Sequence, residues 1–220
     1  AEILGDMNSR TPMNRLLQGD VGSGKTFVAS AAILAAADSG VQSVFMAPTE
    51  ILAQQHYFNL KEMLGSQGIE TVLLTGGQRT AERRSAAEAI RNGGAQVVVG
   101  THAVFGDEVR FARLGLVIVD EQHRFGVLQK NSLIAKASAP HVLVMTATPI
   151  PRTLVLSIYG DLEVSLLDEL PPGRTPIKTI RMDAGMEKTL LDLVQEQIRQ
   201  GRQAYWVCPL IEDEEQGESR

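Results

Sequence analysis

Residues 19 to 26 read Gly-Asp-Val-Gly-Ser-Gly-Lys-Thr and fit the phosphate-binding pattern G-x-x-x-x-G-K-[ST]. A polyphosphate needs several backbone N–H groups directed at one point, and glycines let a loop curl tightly enough to supply them. Lys25 adds a charge for the β- and γ-phosphates, and the hydroxyl of Thr26 suits Mg²⁺. The pattern therefore predicts that a nucleoside triphosphate with Mg²⁺ binds at Gly19, Asp20, Val21, Gly22, Ser23, Gly24, Lys25 and Thr26.

A second polar group, Asp120-Glu121-Gln122-His123, directly follows the apolar run 114–119. An acidic pair at a strand end is by itself often only a polar terminus. Together with an upstream phosphate loop it predicts that Asp120 holds Mg²⁺ and that Glu121 orients or deprotonates an attacking water. Gln122 and His123 either sense the γ-phosphate or simply begin the next turn.

Small hydroxyl residues follow another apolar run at Thr146-Ala147-Thr148, where they either relay a change at the phosphates or cap a strand. Three further segments, 48–50, 75–77 and 100–102, offer backbone N–H groups and hydroxyls through Thr49, Gly76 and Thr101. Such groups can bind the phosphates of a nucleic-acid strand without reading its bases. Taken alone, each segment is more typical of an ordinary turn or helix cap.

Four arginines are predicted to share one helix, and they allow two interpretations. They form either a local basic patch or a solvated face that Glu82 and Glu88 balance. The four are Arg79, Arg83, Arg84 and Arg91.

Short apolar segments alternate with helical ones along most of the chain. Strands are predicted at 15–18, 41–47, 69–74, 96–99, 114–119 and 141–145, and helices at 27–37, 49–64, 80–91 and 151–159. This alternation predicts an α/β fold with a mostly parallel central sheet between two layers of helices. Because ligands gather at the carboxyl ends of parallel strands, we expect all the polar segments above to meet at one edge of the sheet.

The pattern changes after residue 167. Residues 168–176 are rich in proline and glycine and are typical of a linker, and 177–220 predict two strands, 177–182 and 203–210, around a helix at 186–200. We expect a first domain at 1–167 and the incomplete start of a second domain at 177–220. The chain also opens within what looks like a helix that has no capping residue, as expected at the edge of a longer protein.

Composition sets further limits on partners and location. The 220 residues carry a net charge of −5, so attraction to a polyanion requires a local patch of basic residues. The lone Cys208 cannot form an internal disulfide, and we expect it to be a small buried hydrophobe, with a reactive thiol as the alternative. Neither a signal peptide nor a long apolar span is present in the sequence. We expect a cytoplasmic monomer that binds no membrane.

Together these segments resemble the motifs of superfamily 2 helicases. The similar runs are GDVGSGKT, APTEILAQQH, GTHAVF, DEQHRFGV and TATPIPRT, in that order. With DELPPGRTP and GRQAYWVCPLIE they resemble the bacterial RecG family of ATP-dependent DNA helicases over essentially the whole chain. The related transcription-repair coupling factors typically have DEEH where this chain has Gln122 in DEQH, which favours RecG.

The resemblance implies a RecA-like motor domain that moves on branched DNA, such as replication forks and Holliday junctions, during recombination and repair. It implies that His123, Gln122, Thr146 and Thr148 couple ATP to DNA and that Thr49, Gly76 and Thr101 lie near the DNA backbone. The family also has a wedge domain, an adenine-side glutamine and a second motor domain with an arginine finger, which we expect outside these residues. A small-molecule kinase or nucleotide switch and a binding module with negligible turnover are the alternatives.

Overall fold

The computed structural model describes residues 1–121, 139–148, 162–169, 177–183 and 185–207. The chain divides into two compact units, Ala1–Arg174 and Thr175–Arg220. The larger unit contains the phosphate loop, the acidic pair and every other segment to which the sequence assigned chemistry.

Seven strands and four helices make up the described part of the larger unit. The strands are β1 Asn14–Gly19, β2 Gln42–Met46, β3 Thr71–Leu74, β4 Val97–Gly100, β5 Leu114–Asp120, β6 His141–Thr146 and β7 Glu163–Leu167. The helices are α1 Glu2–Met7, α2 Lys25–Asp38, α3 Glu50–Gly65 and α4 Thr80–Arg91, and a short 3₁₀ helix spans His102–Phe105.

The strands form one sheet in the order β3-β4-β2-β5-β6-β1-β7, and each neighbouring pair is parallel. Their carboxyl ends therefore lie along one edge. The loops that follow β1 to β6 are the six polar segments picked out in the sequence, so their expected clustering at one edge is confirmed. Strand β6 separates β1 from β5, which places the 146–148 loop between the phosphate loop and the acidic pair.

Apolar side chains cover both faces of the sheet because neighbouring residues of a strand point to opposite sides. On one face Phe45 packs with buried residues of α2 and α3, including Ile33 and Leu60. On the other face Val44 packs with Ile90 of α4. The predicted three-layer α/β fold is confirmed, with every strand pair of the described residues parallel.

Strand β1, which carries the phosphate loop, is tied to its surroundings by a buried arginine. Arg15 is 7% exposed and donates hydrogen bonds to Asp6, Glu2 and Ser165 at 2.6, 3.2 and 2.8 Å. Two of these partners belong to α1 and the third to β7. Because a buried guanidinium needs both charge and hydrogen-bond partners, this network fixes α1 and β7 against β1.

Strand β7 was not predicted. Its sequence, Glu-Val-Ser-Leu-Leu, mixes polar and apolar residues because it lies at the sheet edge beside β1.

In the smaller unit the predicted helix is confirmed as α5, Glu187–Arg199. The two strands predicted around it are wrong for residues 177–182 and 203–207, which carry no strand; a strand forms only where a neighbour pairs with its backbone.

Several predictions fall on residues outside the described ranges. These are the helix at 151–159, most of the linker at 168–176 and Cys208. None of the helices in the described ranges is long and apolar enough to span a bilayer.

Candidate active site

The phosphate loop has the conformation that its glycines predict. It leaves β1 at Gly19 and passes into α2 at Lys25. Gly22 and Gly24 have φ values of 81° and 93°, in the left-handed region that side chains disfavour. Helix α2 follows directly, and the first N–H groups of a helix have no partner within it. The loop thus presents an anion with the first N–H groups of α2 and the positive end of its helix dipole.

The ammonium of Lys25 lies over this loop. Its Nζ donates hydrogen bonds to the carbonyl oxygens of Gly19 and Asp20, at 2.7 and 2.9 Å. The charge is therefore held at the centre of the loop by two neutral acceptors. A phosphate oxygen, which is negatively charged, is a stronger acceptor than either carbonyl.

Gly19 and Ser23 make the loop tight. A Cβ on Gly19 would lie 2.6 Å from Ser23 Oγ and 2.8 Å from Leu167 Cβ, so the loop has no space for a side chain there. Ser23 Oγ is buried without a hydrogen-bond partner among the described residues. Because a buried hydroxyl normally finds a partner, this orphaned group fits a loop that closes on a ligand.

The two acidic residues end β5 and start the loop after it. Asp120 Oδ2 lies 3.0 Å from Nε2 of His56, and the two side chains are 13% and 12% exposed. His56 belongs to α3, and its ring packs against Phe45 at a tilt of 42°, with 4.6 Å between ring centroids. The sequence interpretation had given His56 no role, since its only signal was its place in the run APTEILAQQH.

Glu121 connects the acidic pair to the next loop. Its backbone has a φ of 51°, which is uncommon for a residue with a side chain. Its N–H donates to Met145 O at 3.0 Å, and its Oε1 accepts a hydrogen bond from Ala147 N, also at 3.0 Å. The left-handed turn thus directs the carboxylate back across the end of β6.

The loop at 146–148 has its own internal hydrogen bonds. The hydroxyls of Thr146 and Thr148 lie 2.9 Å apart, and Thr148 N donates to Thr146 Oγ1 at 3.2 Å. Thr146 is buried and Thr148 is exposed, so the pair joins the strand end to the surface. The structure brings this segment against Glu121, as a relay would require.

Two of the three segments predicted to face DNA form a direct contact. Glu50, in the first turn of α3, accepts a hydrogen bond from Gly77 N at 2.8 Å. A Cβ on Gly76 would lie 3.3 Å from Glu50 Oε1 and 4.0 Å from Nε2 of His102, which brings the third segment alongside. The three segments therefore meet at one place, with a carboxylate already on one of their backbone donors.

The threonines of these segments differ in exposure. Thr49 is exposed and caps α3 by accepting a hydrogen bond from Leu52 N at 3.3 Å. Thr101 is 2% exposed, and its hydroxyl has no partner among the described residues. Thr49 and Gly76 are at the surface, whereas Thr101 lies beneath it.

The arginines of α4 line a groove of about 630 Å³ together with Gly76. Arg83 forms an ion pair with Glu108, and Arg91 lies 4.0 Å from Glu88. Because two of the four arginines have acidic partners, the contacts favour the balanced, solvated face over the basic patch.

The residues present fit ATP and Mg²⁺. The loop supplies backbone donors and Lys25, and Thr26 and Asp120 supply the oxygen ligands that Mg²⁺ prefers. Gln122 and His123 lie outside the described residues, so their roles stay predictions.

Comparison with known proteins agrees with this geometry. A solved structure of RecG bound to a three-way DNA junction superposes with a TM-score of 0.78 at 45% identity, covering 91% of this chain and 27% of that one. A DEAD box protein from Methanococcus jannaschii superposes with a TM-score of 0.56 at 18% identity, covering 70% and 45%, and shows the fold alone.

Sequence relatives point the same way. The chain is 52% identical over 98% of its length to the ATP-dependent DNA helicase RecG of Acidithiobacillus ferridurans, and 51% identical over 98% to that of Escherichia coli K12. It spans 31% and 32% of these two relatives. The resemblance to RecG is confirmed.

Residues 6–156, more than half of the chain, match the DEAD/DEAH box helicase family. The phosphate loop, the acidic pair and the 146–148 loop all lie within this match, and the chain therefore belongs to the DEAD/DEAH box helicase family.

Proposed function

We propose that this chain is the nucleotide-binding motor domain of an ATP-dependent DNA helicase that acts on branched DNA in recombination and replication-fork repair. The observation that carries the proposal is the shared sheet edge, where the 146–148 loop lies between the phosphate loop and the acidic pair. Phosphate-binding, hydrolytic and DNA-facing segments thus occupy adjacent loops. The similarity to RecG over 98% of the chain supports the same conclusion.

Each polar residue has a distinct part in this proposal. Lys25 exchanges its two carbonyl acceptors for the β- and γ-phosphates, and the loop N–H groups hold the remaining oxygens. Thr26 and Asp120 hold Mg²⁺, which neutralises charge on the phosphates when it is bound. Glu121 orients or deprotonates the attacking water.

Contacts between loops couple hydrolysis at the phosphates to the segments that face DNA. Glu121 accepts a hydrogen bond from Ala147 N, so a shift of its carboxylate moves the loop that Thr146 and Thr148 brace. DNA lies at the segments that contain Thr49, Gly76 and Thr101. The RecG structure bound to a three-way junction supports branched DNA as the partner.

Hydrolysis by these 220 residues alone is expected to be slow. The resemblance to helicases implies an arginine finger from a second motor domain, and such a group contributes about 10³–10⁵ in rate in related sites. The chain binds Mg²⁺–ATP but needs that second domain for fast turnover. Robust DNA-stimulated hydrolysis by the chain alone would contradict this part of the proposal.

The experiment is a titration of the chain with a fluorescent ATP analogue in the presence of Mg²⁺. Lys25→Ala removes the central charge, so we expect affinity to fall roughly ten- to hundredfold, as for loss of a charge-assisted hydrogen bond. Lys188→Ala is the matched control, because Lys188 is an exposed lysine of α5. Equal affinities for the two variants would overturn ATP binding at this loop.

The DNA part needs a polypeptide that carries both motor domains. We expect a three-way junction to stimulate its ATP hydrolysis more than a linear duplex of the same length does. Equal stimulation by the two DNAs would overturn the preference for branched DNA and leave ATP binding at Lys25 standing.

A further inference from the structure

His56 makes a close contact with the carboxylate assigned to the metal ion. Its Nε2 lies 3.0 Å from Asp120 Oδ2, and the two side chains are almost equally buried. Lengths near 3 Å are typical of a nitrogen–oxygen hydrogen bond. The partners come from different elements, α3 and β5, which are far apart in sequence.

The surroundings of the imidazole settle where its hydrogen lies. An ionised carboxylate only accepts hydrogen bonds, so Nε2 must carry the hydrogen. Nδ1 is buried and has no partner among the described residues. An unpaired buried N–H is rarer in proteins than an unpaired acceptor, so Nδ1 without a hydrogen is the less costly arrangement.

The imidazole is also held in place from other sides. Its ring packs against Phe45 with 4.6 Å between centroids. Its helix is fixed to the core by the fully buried Ala53 and Leu60, which lie about one turn away on either side. The first turn of the same helix carries Glu50, which contacts Gly77 at the predicted DNA face. His56 is therefore a rigidly placed donor.

We propose that His56 is a positioning residue, which holds the Asp120 carboxylate in the orientation that binds Mg²⁺. This role rests on the proposed function. The hydrogen bond engages Oδ2 and restricts rotation of the carboxylate about its Cβ–Cγ bond. Outer partners of this kind, which orient a metal ligand without touching the metal, typically change metal affinity by about 10- to 100-fold.

The test measures how much Mg²⁺ strengthens nucleotide binding in the chain and three variants. A fluorescent ATP analogue is titrated in excess EDTA and again at saturating Mg²⁺, and the ratio of the two affinities is the Mg²⁺ contribution. His56→Phe keeps a ring on Phe45 but has no donor. His56→Gln and His56→Asn are a matched pair of amides, of which only the longer Gln can reach Asp120.

We expect the Mg²⁺ contribution to fall about tenfold or more in His56→Phe and His56→Asn and to return close to the wild-type value in His56→Gln. The affinity in EDTA should stay unchanged in all three, because the phosphate loop is untouched, and this also shows that each variant is folded. The Gln and Asn pair decides the question if His56→Phe does not fold.

A second readout does not depend on nucleotide. The chain has four histidines, and ring ¹⁵N NMR distinguishes which nitrogen carries hydrogen. The wild-type signals that are missing from the His56→Gln spectrum belong to His56. We expect these signals to show hydrogen on Nε2 and none on Nδ1. Hydrogen on Nδ1 with none on Nε2 would overturn the proposed contact.

The remaining outcomes separate the two proposals. A full Mg²⁺ contribution in His56→Phe, or a Gln variant no better than the Asn variant, would overturn the role of His56 and leave the ATP site intact. A wild-type chain in which Mg²⁺ does not strengthen nucleotide binding would overturn both the role of His56 and the proposed Mg²⁺ site at Thr26 and Asp120.

Discussion

The carboxylate of Glu121 accepts a hydrogen bond from the backbone N–H of Ala147 at 3.0 Å, across the ends of two adjacent strands. The residue assigned to activate water is thus hydrogen-bonded to the loop that follows the neighbouring strand, β6. The Glu121 side chain thus has two proposed roles, activation of water and contact with the 146–148 loop. Substitution can separate these two roles.

Glu121→Gln tests this separation. The amide keeps an oxygen that accepts from Ala147 N but cannot act as a base. In a polypeptide that carries both motor domains, single-turnover hydrolysis of ATP should fall about 10²–10⁴-fold while ATP affinity stays near that of the wild type. Glu121→Ala also removes the acceptor, and it should additionally lower the free energy of unfolding by about 1 kcal/mol. Hydrolysis at the wild-type rate in Glu121→Gln would rule out its role as the base.

Gly19→Ala should damage both stability and nucleotide binding. The new Cβ would lie 2.8 Å from Leu167 Cβ, which is not the flexible end of a side chain. Overpacking of this kind costs about 1–3 kcal/mol, measured by chemical denaturation. Gly5→Ala is the control, because a Cβ there meets nothing within 4 Å, and in helix α1 it should be neutral or slightly stabilising. Equal stabilities of the two variants would contradict the close packing at Gly19.

Glu50→Ala should strengthen DNA binding. Its carboxylate holds Gly77 N at the face where DNA phosphates are predicted, so a phosphate must compete with it. Removing one such charge should raise DNA affinity roughly two- to fivefold in a fluorescence anisotropy titration. Glu62→Ala, an exposed acidic residue near the other end of α3, changes net charge equally and is the control. The same gain in both variants would attribute the effect to net charge alone.

His141 should make stability depend on pH. Its Nδ1 accepts a hydrogen bond from Met13 N at 2.9 Å. Burial lowers the pKa of the imidazole below its ordinary value of 6.5, and the nearby Asp6 carboxylate opposes this shift. As the pH falls below 6.5, the unfolded chain takes up this proton before the folded chain does. The free energy of unfolding should therefore be highest above pH 6.5 and decrease below it.

The measurement is urea denaturation between pH 5 and pH 8, with His141→Asn as the test variant. Its Oδ1 can accept from Met13 N without titrating, so the decrease below pH 6.5 should be smaller than in the wild type. His102→Asn removes an exposed histidine and is the control. An unchanged pH dependence in His141→Asn would show that other groups cause it.

Much of the larger unit could be predicted from local sequence. Buried parallel strands are short apolar runs, and the phosphate loop has fixed residue types, so β1 to β6 and Lys25 were found. Strand β7 has alternating polar residues at the sheet edge and gave no such run. The role of His56 depends on a contact between α3 and the end of β5, and the Glu50–Gly77 hydrogen bond joins the first turn of α3 to the loop after β3. Neither contact is encoded in a local pattern.

Strand β1, which carries the phosphate loop, lies between β6 and β7, which are the last two strands of the larger unit in sequence. Met13 and its hydrogen-bond partner His141 are 128 residues apart in sequence, and Arg15 and Ser165 are 150 apart. Contacts between distant residues form late, because closing long loops costs entropy before it is repaid. During synthesis, β1 and the phosphate loop are made before β6 and β7. The loop therefore lacks the strands that flank β1 until β7 has been made. Nucleotide binding by a growing chain would therefore report that β6 and β7 have paired with β1.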